Sequence, residues 1–203
     1  VKLIADSYNR GKISEERLSN SVKKILSLKA RSGLHNYKEI APKNILEKVN
    51  TPKDSLLYSK AMESAITLVK NSKEIMPLSK NKKYLHVSFG KNNNSEYFTN
   101  KMDMYVDVER FNGDDYTSIH KKTDYDAIII TYHGSSTSPY ASNIIPDDIV
   151  REIDNISKSN NVILNLFLNP YSLNSFKSID NFESIIISYQ NNMISQEISA
   201  DLM

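Results

Sequence analysis

The chain has 203 residues, of which 39% are apolar and 25% are charged, and its formal net charge is +2. This composition is typical of a globular domain with enough apolar side chains for a core. The small net charge and the scattered basic residues argue against nucleic acid as a partner. The sequence has no cysteine, which excludes disulfides, thiolate metal ligands and cysteine nucleophiles but does not fix the redox compartment.

No apolar run approaches the roughly 20 residues that a membrane-spanning helix needs, so we expect no membrane span in this chain. No signal peptide is visible either. The sequence begins with Val1, and its first residues are typical of the interior of a protein. We therefore expect that residues ahead of Val1 are missing from this sequence, which would explain why no signal peptide is seen.

The first predicted element is a helix that begins after Ser14 and ends before Gly33. Ser14 suits the N-cap, the two glutamates after it suit the positive end of the helix dipole, and Gly33 suits the position just past the C-cap. Apolar residues recur at helical spacing along one side: Leu18, Val22, Ile25 and Leu26. Such a stripe needs a partner that buries it.

Residues 35–50 look irregular, with Pro42 and then Pro52 as interruptions, and this stretch is interpreted as a linker. A second helix is predicted from about Asp54 to Ala65. It gives way to a β-branched and apolar run over residues 66–69.

Beyond Lys83 the sequence changes to short apolar runs of strand length. These runs are Tyr84–Phe89, Met104–Val108, Ala127–Tyr132, Val162–Leu168 and Ser184–Tyr189. Residues 128–130 and 185–187 are continuously apolar, as in central strands covered on both faces. Helical patterns lie between the runs, most clearly over Pro146–Ser157, and a final helix is predicted over Asn191–Met203.

Strands that alternate with helices predict an α/β fold. We expect a three-layer sandwich with a mostly parallel sheet flanked by helices, preceded by an isolated helix and a linker. The five glycines do not have the spacing of a phosphate-binding loop, and the four histidines do not have the spacing of a metal pair. No cofactor and no metal site is therefore predicted.

His133 directly follows a predicted strand and opens the loop 133–145. Ligands bind at loops that follow the carboxyl ends of parallel strands, so His133 and Ser135 are the candidate substrate-binding residues. Solvated loop side chains are the alternative interpretation. As a surface loop residue, His133 is expected to tolerate alanine with a stability change of no more than about 0.5 kcal/mol.

Carboxylates, the groups that glycoside hydrolysis requires in pairs, have simple structural explanations here. The pairs are Asp114 with Asp115, Asp124 with Asp126, and Asp147 with Asp148. The first pair lies in a predicted turn after a glycine, the second just before a predicted strand, and the third at a predicted helix N-terminus. No catalytic residue is assigned.

Four segments taken together resemble glycoside hydrolase family 3. Residues 11–34 resemble the last helix of its catalytic barrel, with the pattern G-x-I-x-x-x-x-L-x-x-S-V-x-x-I-L-x-x-K. Residues 65–78, which read A-I-T-L-V-K-N and then M-P-L, resemble the entry to its second domain. Residues 169–171, N-P-Y, resemble its G-N-P-Y turn, and residues 188–200 resemble the segment that follows.

The resemblance implies a domain organisation. Residues 1–34 correspond to the last helix of a truncated TIM barrel, residues 35–55 to a linker, and residues 56–203 to the family's C-terminal α/β sandwich domain. The final helix carries no cap signal, so truncation at that end is also expected.

The resemblance also implies what is absent. The family's aspartate nucleophile lies in the barrel, ahead of this chain. The β-glucosidase branch takes its acid/base glutamate from the second domain, whereas the β-N-acetylglucosaminidase branch uses an aspartate–histidine pair on a barrel loop. The loop 133–145 contains no carboxylate, and this departure favours the acetylglucosaminidase branch.

We therefore expect a non-catalytic C-terminal domain fragment of a family 3 β-N-acetylglucosaminidase, which supports the catalytic barrel and borders its cleft. Its partners are the missing barrel and, through the full-length enzyme, a carbohydrate substrate. The fragment alone is expected to be inactive, and a periplasmic or secreted parent is implied. A fragment of a family 3 β-glucosidase and a stand-alone Rossmann-like module for a small ligand are the alternatives.

Overall fold

The structure is a computed structural model, and it describes residues 1–39, 42–90, 94–111, 116–122, 124–134 and 144–203. The chain divides into two compact units, Val1–Asn50 and Thr51–Met203. No described helix is both long enough and apolar enough to cross a membrane.

The first unit is helical. Its helices are α1 (Lys2–Asn9), α2 (Glu15–Arg31) and α3 (Ile45–Val49), with a short 3-10 helix at Leu34–Asn36. As predicted, Ser14 caps α2, because its hydroxyl oxygen accepts the backbone N–H of Arg17 at 3.2 Å. Gly33 follows the C-cap with a φ of 76°. Helix α3 lies in a stretch that the sequence predicted to be irregular.

The second unit is an α/β sandwich, which confirms the predicted fold class. Its helices are α4 (Pro52–Ala65), α5 (Glu96–Met102), α6 (Asp147–Ser159) and α7 (Met193–Asp201). Its strands are β1 (Thr67–Asn71), β2 (Tyr84–Phe89), β3 (Val108–Arg110), β4 (Ala127–His133), β5 (Val162–Phe167) and β6 (Ser184–Ile187).

The six strands form one sheet in the order β1-β6-β5-β4-β2-β3. Strand β1 is antiparallel to β6, and the other pairs are parallel. The chain leaves β2 for β3 on one side and then returns across β2 to β4 on the other. The connections therefore diverge between β2 and β4, which is the topological switch point where ligands bind in open α/β sheets.

Alternate residues of the central strands enter two separate cores, because successive side chains of a strand point to opposite faces of the sheet. On one face, Leu164 and its counterparts pack against α6 through Val150, Ile153 and Ile156. On the other face, Ile129, Ile163 and Ile186 pack against α4, α5 and α7. The sheet is thus the middle of three layers, as predicted.

Local signals explain where the flanking helices begin. Thr51 and Asp54 form a reciprocal capping box at the start of α4, with Pro52 in the first turn. Asp147 and Asp148 lie in the first turn of α6, where the helix dipole favours negative charge. This position confirms the structural explanation of that carboxylate pair.

The predicted strand Met104–Val108 is wrong over most of its length. Met104 is 68% exposed, and the backbone N–H of Val106 bonds to the carbonyl of Met102 at 3.0 Å, as in a helical turn. Strand β3 begins only at Val108. The apolar run failed as a strand signal because its first residues continue as a helical turn after α5, with Met104 and Tyr105 exposed and Val106 buried.

Candidate functional site

Buried polar side chains gather on the α5 and α7 side of the sheet, toward the carboxyl ends of its strands. The strands and their ends contribute His86, Thr131, His133, Asn165 and Ser188, and α7 contributes Ser195, Gln196 and Ser199; all are at most 3% exposed. Together with Asn191 we call these residues the polar cluster. A buried polar group without a partner costs about 1–3 kcal/mol, so each of these groups requires hydrogen bonds.

His133 is not the loop residue that the sequence predicted. It is the last residue of β4 and only 1% exposed, and its ring stacks on that of Phe167 with centroids 4.7 Å apart. Its replacement by alanine therefore removes buried packing and hydrogen bonds. The prediction that His133→Ala is almost neutral assumed an exposed loop residue, and that assumption was wrong.

A chain of hydrogen bonds, which we call the relay, runs through both histidines. His86 Nε2 lies 2.9 Å from Thr131 Oγ1, and the same oxygen lies 2.9 Å from His133 Nε2. His133 Nδ1 lies 2.9 Å from Asn191 Oδ1, which also accepts from Gln196 Nε2 at 2.9 Å. The relay therefore joins β2 and β4 to the segment after β6 and to α7.

Both imidazoles are held neutral. Burial lowers the pKa of His133 to about 4, and the hydrogen bond to Asn191 offsets this only in part. Burial also lowers the pKa of His86 to about 3, with smaller contributions from His133 and Arg110. Neither histidine is therefore suited to exchange protons near neutral pH.

A second network lies beside the relay. Asn165 Nδ2 donates to Ser199 Oγ at 2.6 Å, Ser188 Oγ donates to Asn165 Oδ1 at 2.7 Å, and the two serine hydroxyls lie 2.9 Å apart. Ser195 Oγ donates to the backbone carbonyl of Ser188 at 2.6 Å. These bonds attach α7 to the carboxyl ends of β5 and β6, which is a structural role.

The segment after β6 has a strained backbone. Tyr189 has a φ of 58°, a region that residues other than glycine seldom adopt. Tyr58 of α4 donates to Gln190 Oε1 at 2.5 Å and accepts from Asn192 Nδ2 at 2.9 Å. Residues 189–192 are thus held by contacts from α4, β4 and α7.

The strand ends at the switch point approach each other closely. Gly90 follows β2 with a φ of 111°, and a Cβ atom there would lie 2.3 Å from the carbonyl oxygen of His133. A Cβ atom on Gly134 would lie 2.3 Å from Leu168 Cδ1. Glycine is therefore required at Gly90, where φ is positive and the neighbouring atoms are backbone, whereas a larger residue at Gly134 would need the Leu168 side chain to shift.

The polar cluster contains no carboxylate, and no group of three or more potential metal ligands occurs among the described residues. Its amides, hydroxyls and neutral imidazoles suit structural hydrogen bonding. Ser135, the rest of the loop 135–143 and the pair Asp114–Asp115 lie outside the described residues. Asp126 accepts the backbone N–H of Lys83 at 2.8 Å, as the structural explanation of that carboxylate predicted.

Sequence reasoning missed Asn165, Asn191 and Gln196. A signal was available for Asn165, which interrupts the apolar run V-I-L-N-L-F of a strand covered on both faces. A lone polar residue in such a run must find a buried partner. Asn191 and Gln196 carry no comparable local signal.

The fold is similar to parts of several solved glycoside-processing enzymes. A glycoside hydrolase family 3 β-N-acetylglucosaminidase from a Paenibacillus species matches with a TM-score of 0.60 and 18% identity, over 96% of this chain and 38% of that one. A β-glucosidase from Listeria innocua matches with a TM-score of 0.65 and 16% identity, over 98% and 32%. A β-glucoside phosphorylase matches with a TM-score of 0.56 and 20% identity, over 98% and 38%.

The chain thus spans about a third of the length of the enzymes that it resembles. At these identities the likeness shows a common fold. No protein-family model matches the sequence, and no curated protein matches it either.

Proposed function

We propose that this chain is the C-terminal part of a glycoside hydrolase family 3 enzyme. Residues 1–34, with α1 and α2, would be the end of its catalytic barrel. Residues 35–55 would contain the linker, of which the last residues begin α4, and residues 56–203 would be an accessory α/β domain that supports the barrel. The observation that carries the proposal is that the fold likeness extends over 96% to 98% of the chain and so includes the first unit. The helices of that unit bury no residue in this chain.

The stripe of α2 is exposed in this chain, and the proposed barrel would supply the surface that buries it. Val22, Ile25 and Leu26 are 45%, 54% and 57% exposed, although their spacing is that of a core-facing helix. Isolated amphipathic helices gain most of their stability from packing. A barrel wall would bury this stripe against neighbouring barrel helices.

The chemistry of the second unit supports a non-catalytic role. A retaining glycosidase holds two carboxyl groups about 5–5.5 Å apart, and the polar cluster holds none. The loop 133–145 also has no aspartate or glutamate. We therefore favour the β-N-acetylglucosaminidase type, in which the barrel supplies both catalytic groups.

A β-glucosidase parent is the second candidate, and the likeness to the Listeria enzyme, with a TM-score of 0.65, favours it. The test is to compare this chain with a version extended through the proposed barrel, on a chromogenic N-acetyl-β-glucosaminide and on a β-glucoside. We expect turnover only by the extended protein and only on the N-acetylated substrate. Turnover of the β-glucoside would select the second candidate, and turnover by the chain alone at a comparable rate would contradict the proposal.

A further inference from the structure

We infer that the relay is a positioning device. It fixes residues 189–192 at the carboxyl edge of the sheet through one obligatory arrangement of protons, and acid opens that segment by protonating His133. This inference does not depend on the proposed function, because every group in it belongs to the second unit.

Gln196 sets the direction of the hydrogen bonds. Its Oε1 accepts the backbone N–H of Phe98 at 3.1 Å, and its Nε2 donates to the backbone carbonyl of Asn94 at 2.8 Å. The same Nε2 donates to Asn191 Oδ1. Asn191 Oδ1 is therefore an acceptor, and the His133 Nδ1 that faces it must carry a hydrogen.

The rest of the relay follows from that hydrogen. A neutral His133 protonated on Nδ1 presents Nε2 as an acceptor, which the hydroxyl of Thr131 fills. The Thr131 oxygen then accepts the Nε2–H of His86. The two histidines are therefore fixed in opposite tautomers, Nδ1–H for His133 and Nε2–H for His86.

The relay acts on a segment that requires support. Backbone strain such as that of Tyr189 persists only where the surrounding structure over-determines the conformation. Asn191 anchors the segment from the inside through His133, while Tyr58 contacts Gln190 and Asn192 from α4. Gln196 of α7 also holds Asn191, and the partly buried Tyr189 packs against the α6-side core, so His133 is one of several inner supports of the segment.

Protonation of His133 disturbs this arrangement. A second hydrogen, on Nε2, would point at the hydroxyl hydrogen of Thr131, so that bond must break or reverse, while Nδ1–H continues to donate to Asn191. Among the described residues, Thr131 and Asn191 lie within hydrogen-bond distance of His133 and Phe167 stacks on it, and none of these three carries a negative charge. On the other side of Thr131, His86 faces Arg110 of β3, which is paired with Asp103 just past α5.

Acid therefore favours any state in which His133 reaches water. An open segment restores the ordinary histidine pKa of about 6.5, whereas burial lowers the pKa to about 4 in the closed state. Linkage then increases the open population by about twentyfold between pH 7 and pH 5.

Two measurements on the whole chain test the inference. Long-range proton–nitrogen NMR correlations of the imidazoles should show His133 as Nδ1–H and His86 as Nε2–H at pH 7. Amide hydrogen exchange of residues 188–196, corrected for the intrinsic effect of pH, should accelerate by about twentyfold from pH 7 to pH 5, while β5 stays protected. An Nε2–H tautomer of His133, or an exchange rate that does not change with pH, would overturn the inference.

Two variants separate the relay from general acid sensitivity. His133→Asn keeps an N–H donor toward Asn191 but cannot titrate, so the pH effect on residues 188–196 should disappear. His35→Asn changes an exposed histidine of the first unit and should keep the full effect. An unchanged acceleration in His133→Asn would refute the role of His133, and the two wild-type measurements decide the matter if that variant does not fold.

Discussion

The two units of this chain carry similar helix signals but differ in what those signals achieve. Ser14 caps α2 and Thr51 caps α4, each through a hydrogen bond to a backbone N–H. Yet α2 buries no residue, whereas α4 places Met62 in the core beneath the sheet. Capping and periodicity define a helix, but its burial depends on a partner.

A large-to-small substitution in the sheet should have the largest effect. Leu164 of β5 is fully buried in the α6-side core, so Leu164→Ala loses transfer free energy and leaves a cavity. We expect a loss of about 2–5 kcal/mol in the free energy of unfolding, measured by urea denaturation. A loss below about 1 kcal/mol would mean that this core repacks freely and would remove the contrast with the first unit.

The neighbouring position tests the opposite face of the same strand. Asn165→Ala leaves the hydroxyls of Ser188 and Ser199 without their amide partner, and we expect a loss of about 1–3 kcal/mol. The double variant Asn165→Ala with Ser188→Ala serves as the control, since it removes one of the orphaned hydroxyls. Urea denaturation should show that it is more stable than the sum of the single variants predicts; a strictly additive result would argue against a coupled network.

Much of the second unit could be predicted from local patterns, for identifiable reasons. Strands β2, β4 and β5 are mostly apolar runs of strand length, and α6 begins with two aspartates. Met104–Val108 has a similar apolar character but begins as a helical turn with Met104 and Tyr105 exposed, because so short a run does not distinguish a turn from a strand. The antiparallel pairing of β1 with β6 was not predicted, since it joins residues more than 100 positions apart.

The polar cluster was harder to predict for the same reason. His133 was placed in a loop because polar and small residues follow it, although backbone pairing continues through it to Phe167. Its partners Thr131 and Asn191 lie on two different parts of the chain. Only the three-dimensional approach of β4, the segment after β6 and α7 shows that these residues act together.

Acidification should have a smaller, specific effect on the second unit. The pKa values of His133 and His86 are lowered in the folded state, so the unfolded chain binds more protons between about pH 4 and pH 6.5. Stability is therefore unaffected above about pH 7 and falls as the pH drops through that window.

At pH 5.5 the share of His133 is about 1 kcal/mol, given a folded pKa of about 4 and an unfolded value of about 6.5. Urea denaturation at pH 7 and pH 5.5 should show that the free energy of unfolding falls less in His133→Asn than in the wild type, by this amount. In His35→Asn the free energy of unfolding should fall as much as in the wild type. Equal losses in all three proteins would mean that His133 is not held neutral by the fold.

The smallest effect on stability is expected in the first unit. Ile25 of α2 is 54% exposed, and isoleucine and serine have similar helix propensities. Ile25→Ser should therefore change the free energy of unfolding by no more than about 0.5 kcal/mol.

The effect of Ile25→Ser on association should be larger, because the exposed stripe of α2 is the kind of apolar surface that binds another surface. Sedimentation velocity of the isolated chain should show less self-association for Ile25→Ser than for Lys24→Ser, a matched change at the adjacent exposed lysine. If Ile25→Ser destabilises the chain as much as Leu164→Ala does, the first unit buries its stripe without a partner, and the contrast between the units fails.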